Sequence, residues 1–129
     1  MAQKTVDLGK YRDLDIKEVT MRSVNGDDML DAASRCIPVD GQPIDGNIFN
    51  MMLRQQVIAQ AIIGYSPIVG ERVKMSGPCL DSLTWSSRTR EFVAALFDHM
   101  NGVDADERED FRKALASSTP GSQDGAQKG

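Results

Sequence analysis

Apolar residues recur along this chain with two different periods, and the change of period marks the expected elements. Between residues 15 and 24 apolar and polar positions alternate. Val19 and Met21 share one face of an extended chain, and Thr20 and Arg22 share the other. This alternation predicts a β-strand near the N-terminus.

Four later segments repeat their apolar residues at intervals of three and four, which is the period of an amphipathic helix. Asn, Asp, Ser and Thr residues stand where such helices would begin, and Pro38, Gly64 and Gly102 stand where three of them would end. We expect helices at residues 27–36, at 47–63, from a cap at Ser82 or Thr84 to Met100, and at 104–116. A short strand or hairpin is expected near residues 65–73, at an edge because of Pro67.

These elements predict a mainly α fold of the α+β kind, with about four helices, a short N-terminal strand and a small strand or hairpin. The polar residues 1–14 predict a flexible arm. Residues 15–116 are expected to form one mostly helical domain. Residues 117–129 hold almost nothing apolar and predict a disordered polar tail.

The segment 47–63 is apolar around much of its circumference. Such a helix either lies at the centre of its own core or shares a face with a partner. Thioether side chains adapt to irregular surfaces, so adjacent methionines favour keeping the partner alternative. The candidate protein-binding residues are Met51, Met52, Ile58 and Ile62.

Two C-terminal helices carry further apolar lines. Trp85, Phe92 and Leu96 are in phase and predict a face that packs into the core. In the last helix, Phe111 and Leu115, with the alanine between them, are expected to face inward.

Composition narrows the classes of function. Fifteen basic and nineteen acidic residues among 129 give a net charge of −4. An acidic chain without a basic stripe disfavours nucleic-acid binding. The first ten residues lack the apolar stretch of a signal peptide, and no stretch is long and apolar enough to span a membrane. Cys36 and Cys79 are either two buried thiols, the favoured alternative, or one disulfide. Together these features predict a cytoplasmic protein.

Motifs for catalysis are missing from the sequence. His99 is the sole histidine, which leaves no zinc set and no His-dependent triad. The acidic run 104–110 departs from a calcium loop at its fifth and sixth positions, Arg108 and Glu109. No glycine-rich phosphate loop is present. We therefore expect no enzyme activity, no catalytic residues, no cofactor and no metal.

The order of features resembles the small tail assembly chaperones of long-tailed bacteriophages. The family pattern R-x-x-x-G-x-D is matched by Arg22 to Asp28, and LR-x-x-x-I-A-x-A-I by Leu53 to Ile62. A G-x-x-V strand pair is matched loosely at Ile68 to Val73. The closing series of Leu, Trp, two Arg, Phe and Asn-Gly is matched from Leu83 to Gly102.

This resemblance implies a non-enzymatic chaperone that binds the long, helical tape measure protein during tail assembly in the host cytoplasm. It also implies that a longer product can arise by frameshifting near the C-terminus. Whether the protein forms a homo-oligomer is left open. The alternative is a small structural or adaptor protein of a virion or other assembly. A helix-turn-helix regulator is disfavoured because Gly64, Pro67 and Gly70 interrupt its second helix, and an enzyme ranks last.

Overall fold

The computed structural model describes residues 2–37, 45–102 and 105–118. Their elements follow the order β1 (Gln3–Asp7), β2 (Ile16–Arg22), α1 (Gly26–Ser34), α2 (Gly46–Ala61), β3 (Ile62–Pro67), β4 (Val73–Lys74), a 3-10 turn (Leu80–Thr84), α3 (Ser87–Asn101) and α4 (Ala105–Ser118). Within these ranges no helix is both long and apolar enough to cross a membrane.

The four strands form one antiparallel sheet in the order β1-β2-β3-β4. Val6 lies opposite Val19 in the β1–β2 pair, and Met21 lies opposite Ile62 in the β2–β3 pair. The β2–β3 register shifts twice, once near each end of β2. Such irregularities let both Ile16 and Val19 reach the interior although they stand three residues apart in one strand.

The predicted mainly α fold with about four helices is wrong. A four-stranded sheet organises the domain, α2 and α3 contact its strands, and α1 packs against α2, which makes the fold a true α+β mixture. The side chains of residues 106–117 in α4 are all exposed. Phe111 and Leu115, predicted to face inward, are therefore on the surface.

Residues 1–14 were expected to form a flexible arm, and from residue 2 onward the structure corrects this. They contain β1, which is paired along its length with β2. Leu8 and Leu14 are buried in the core, and the Leu8 amide donates to the Lys17 carbonyl over 2.8 Å. These few apolar side chains are sufficient to hold the segment in place, because an antiparallel sheet needs apolar side chains on only one of its faces.

Two predicted elements are confirmed, and another is divided. The strand within residues 15–24 is β2, and the helix expected at 27–36 is α1. The predicted helix 47–63 ends at Ala61, and the next residue begins β3 without a turn. Pro67 closes β3, which is an inner strand and not the expected edge.

The core lies between one face of the sheet and the helix α3. Its fully buried side chains come from β2, β3, α3, the end of α2 and Cys79, and Trp85, Phe92 and Leu96 pack around them as partly buried neighbours. Trp85 meets Tyr65 edge to face, with ring centroids 5.0 Å apart. The in-phase apolar line of α3 therefore packs against the core, as predicted.

The beginnings of β2 and α3 are tied together by short hydrogen bonds. The buried Thr89 hydroxyl accepts from the Asp15 amide over 2.9 Å, and the Asp15 carboxylate accepts from the Ser86 amide over 2.7 Å. The hydrogen bond that the Ser86 backbone donates to the carboxylate, followed by a side-chain hydrogen bond from Thr89, lowers the pKa of Asp15. Helix α3 thereby has a fixed starting point on the sheet.

Candidate protein-binding surfaces

The helices α1 and α2 carry a group of exposed large apolar side chains. The two helices pack side by side, and exposed residues occur on both of them and just beyond α1: Met29, Leu30, Ile37, Ile48 and Met51. Large apolar side chains left in solvent are candidates for protein–protein contact. These side chains are therefore the first candidate for a binding surface.

Helix α2 has two dissimilar halves. Its fully buried residues are Val57, Ala59 and Ala61, all within the last five positions. In the first half Ile48 is 48% exposed and Met51 is 57% exposed. The helix thus begins at the surface and ends in the core. We call Ile48 and Met51, one helical turn apart, the α2 surface.

The four residues proposed from the sequence do not form one surface. Met51 belongs to the α2 surface, and Met52 beside it is partly buried. Ile58 packs against the core, and Ile62 is fully buried in β3. The structure thus brings Met51 and Met52 together and assigns the two isoleucines to folding.

Sequence reasoning left out Ile37 and Ile48 as binding residues. Ile48 stands four residues before Met52, so the helical period includes it in the helix without showing that this end of the helix leaves the core. Ile37 immediately precedes a proline and had no regular context. Their exposure depends on where α2 crosses the domain.

An ion pair fixes α1 relative to the sheet. Both guanidinium nitrogens of Arg22 donate to the Asp28 carboxylate at 2.7 Å, while the Asn25 amide donates to the same carboxylate at 2.9 Å. Asn25 in turn caps the helix by accepting from the Asp28 amide. These bonds, led by the one from Arg22, lower the pKa of Asp28 to about 2.

Two further contacts join α1 to α2. Gln60 donates to the Asp28 carboxylate over 3.4 Å, and Arg35 donates to both the side chain and the backbone carbonyl of Gln56. The start of α1 therefore lies beside residue 60 and its end beside residue 56. The helices run antiparallel, and the first half of α2 extends past the end of α1.

A groove runs along the outer side of α3. Two adjoining cavities, of about 540 and 400 Å³, share Phe92 and Ala95 in their walls. The Tyr11 ring packs on Phe92 with centroids 4.5 Å apart, and the Arg88 guanidinium lies 5.5 Å from the same ring. We call this depression the α3 groove.

The two cysteines and the histidine differ in their exposure to solvent. Cys36 and Cys79 are both buried free thiols, which confirms the favoured prediction. Burial raises the pKa of Cys79 to about 11, so this thiol is protonated at neutral pH. His99 is exposed on α3. Among the described ranges no three His, Cys, Asp or Glu residues are grouped so that they could hold a metal ion.

Comparison with known proteins adds no relative. No family model matches the chain, and neither the curated proteins nor the solved structures contain a significant match.

Proposed function

We propose that this protein binds an apolar helical segment of another protein through the α2 surface, and that it serves as a non-enzymatic tail assembly chaperone for a tape measure protein in the host cytoplasm. The observation that carries the proposal is the exposure of Ile48 and Met51 on a helix whose other end is anchored in the core. The sequence resemblance supplies the identity of the partner.

The architecture supports transient cover for an apolar helix. Side chains of Ile48 and Met51 stand one turn apart, which is the spacing that a partner helix presents along its own apolar stripe. A tape measure protein is long and helical, and its apolar stripes would aggregate if left uncovered. Methionine at the contact adapts to successive segments of different shape. Such binding requires neither nucleotide nor metal.

The anchor of α2 keeps this surface in place while it is exposed. Removing Ile48 and Met51 from water stabilises the complex, yet the free protein does not collapse around them because Val57, Ala59 and Ala61 already hold the helix. Rigid display of an apolar pair lowers the entropic cost of binding. The Arg54–Asp98 pair nearby is exposed, so it tunes salt dependence more than affinity.

The test is co-expression with the candidate tape measure protein, measured as the fraction of that partner in the soluble lysate. Wild-type protein is expected to raise this fraction and to co-purify at low salt. The double variant Ile48→Asp, Met51→Asp is expected to lose most of the gain. Asn50→Asp, an exposed change on the same helix, is the matched control and should behave as wild type.

Circular dichroism and thermal melting must show that the double variant is folded, which we expect because both side chains are already in solvent. No gain in solubility with the wild type would contradict the chaperone proposal. Presence of this protein itself in purified particles would indicate the structural or adaptor role instead. An unchanged gain with the double variant would place the contact elsewhere.

A further inference from the structure

Helix α4 presents its large apolar side chains to solvent. Phe111 is 64% exposed and Leu115 is 52% exposed, and they are one turn apart on the same face. A helix of this length has little stability in water without a surface to pack on. An apolar pair on such a helix therefore indicates that α4 docks on a surface that it does not contact within its own chain.

The α3 groove has the chemistry to receive that face. Its walls include the rings of Tyr11 and Phe92, and its floor continues to Val6 and Leu96. Ala95, which is exposed, separates the two cavities without filling either one. The small side chain leaves room there for an aromatic residue from outside.

Charges around the groove complement those of α4. Lys4, Lys10 and Arg88 line it, whereas the first half of α4 carries four acids, Asp106, Glu107, Glu109 and Asp110, and one base, Arg108. The remaining groove charges, Asp7 and Glu91, have a counterpart in Arg112. Acids near Lys4, with Arg112 near Glu91, select an α4 that runs antiparallel to α3.

We propose that the α4 helix of a second copy occupies the α3 groove, with Phe111 and Leu115 as its anchors. The chain leaves α3 through Gly102 in an extended conformation (φ −93°, ψ 172°) and does not reverse at this residue. Exchange of a terminal helix between two copies is a low-cost route to a dimer. Each copy would then give one helix and receive one.

This docking involves a different surface from the proposed chaperone contact. The α2 surface contributes no residue to it, so either proposal stands if the other fails. The α3 groove of each copy is filled by an apolar α4 side chain of the other copy. That side chain is exposed on α4 when the chain is alone.

The experiment compares two single variants with a mixture of them by sedimentation velocity at high micromolar concentration. Phe111→Asp removes the anchor but keeps the groove, and Ala95→Glu places an acid in the groove but keeps the anchor. Wild type is expected to be dimeric, and each variant alone monomeric. Mixing them restores one intact interface, so heterodimers should form, detectable by pull-down with a tag on one variant.

Matched controls put the same added charges on neighbouring positions. Lys113→Asp lies on the other side of α4, and Ala94→Glu faces Arg54 and Arg90 in the adjoining cavity; both should stay dimeric. Circular dichroism checks that every variant is folded. A monomeric wild type, or a dimer that persists in Phe111→Asp, overturns the proposal. Monomers with a lower melting temperature for Phe111→Asp would show α4 docked in its own chain, which also overturns it.

Discussion

At the scale of single residues, Asp28 joins the strand β2, the cap of α1 and the helix α2. It accepts from Arg22, from the Asn25 amide and from Gln60, and only 7% of it is exposed. Arg22 keeps 19% of its side chain in solvent. The pair is thus largely withdrawn from water, where removing one partner leaves the other charge poorly solvated.

Asp28→Asn is expected to lower the free energy of unfolding by about 3 kcal/mol at neutral pH, at the low end for a buried pair because Arg22 retains some solvent contact. Urea denaturation measures this loss. Asp27→Asn, exposed in the same helical turn, is the control and should change stability by less than about 0.5 kcal/mol. Equal stability of the two variants would contradict the assigned role of the pair.

The same residue gives a pH dependence whose sign follows from its lowered pKa. The folded pKa is about 2 against an ordinary value of 3.8, so the unfolded chain takes up this proton first as the pH falls. The stabilisation is complete above 3.8 and is lost between there and about 2. Wild type should lose more stability over this interval than Asp28→Asn does.

At the scale of elements, the sheet has one apolar and one polar face. On the polar face Arg72 crosses β3 at Gly64, donates to the Thr20 hydroxyl over 2.6 Å and pairs with Glu18. Thr5 and Thr20 share a 2.8 Å hydrogen bond alongside. Gly64 permits this crossing because it has no Cβ.

Gly64→Val is therefore expected to destabilise the protein by about 1–3 kcal/mol, the usual cost of overpacking. An added Cβ would lie 2.9 Å from an Arg72 nitrogen and 3.2 Å from the Val73 carbonyl oxygen. Gly77→Val is the matched control, since nothing lies within 4 Å of the equivalent Cβ there. Thermal melting compares the two variants. A stability loss in Gly64→Val no greater than in Gly77→Val would mean that the position of Arg72 does not require a residue without a Cβ at position 64.

The sequence predicted these elements unevenly, for physical reasons. Strand β2 was found because both of its faces have a clear alternation. Strand β1 was missed because Val6 is its only large apolar residue, and the pairing with β2 supplies the rest of its stability. The first residues of β3 were assigned to a helix because Ala61, Ile62 and Ile63 continue an apolar run, and a short run of this kind fits either structure.

At the scale of the whole molecule, α3 is the last element that packs into the domain among the residues that the structure describes. Removing residues 105–129 should therefore leave a cooperative unfolding transition and change the free energy of unfolding by less than about 1 kcal/mol, because the side chains of residues 106–117 are exposed. Urea denaturation of the truncated chain at low concentration measures this. Loss of cooperativity would contradict the domain limit. Most of the polar tail predicted at 117–129 lies outside the described residues.

The candidate binding surface was predictable only in part. A helix apolar around much of its circumference predicted that α2 either is central or meets a partner. Met51 is exposed, as the second alternative requires, and Val57 is buried, as the first requires. One helix does both because its two halves have different depths. Depth depends on the packing of α1 and of the sheet, which periodicity does not record.

The pairing of β2 with β3 also has a consequence for synthesis on the ribosome. Ile16 in β2 meets Pro67 in β3, and the helix that covers their shared apolar face, α3, begins only at Ser87. A growing chain can form the β1–β2 hairpin early, but Val19 and Met21 then have no cover until some seventy further residues have been added. The nascent protein thus passes through a stage in which its own sheet presents an open apolar side.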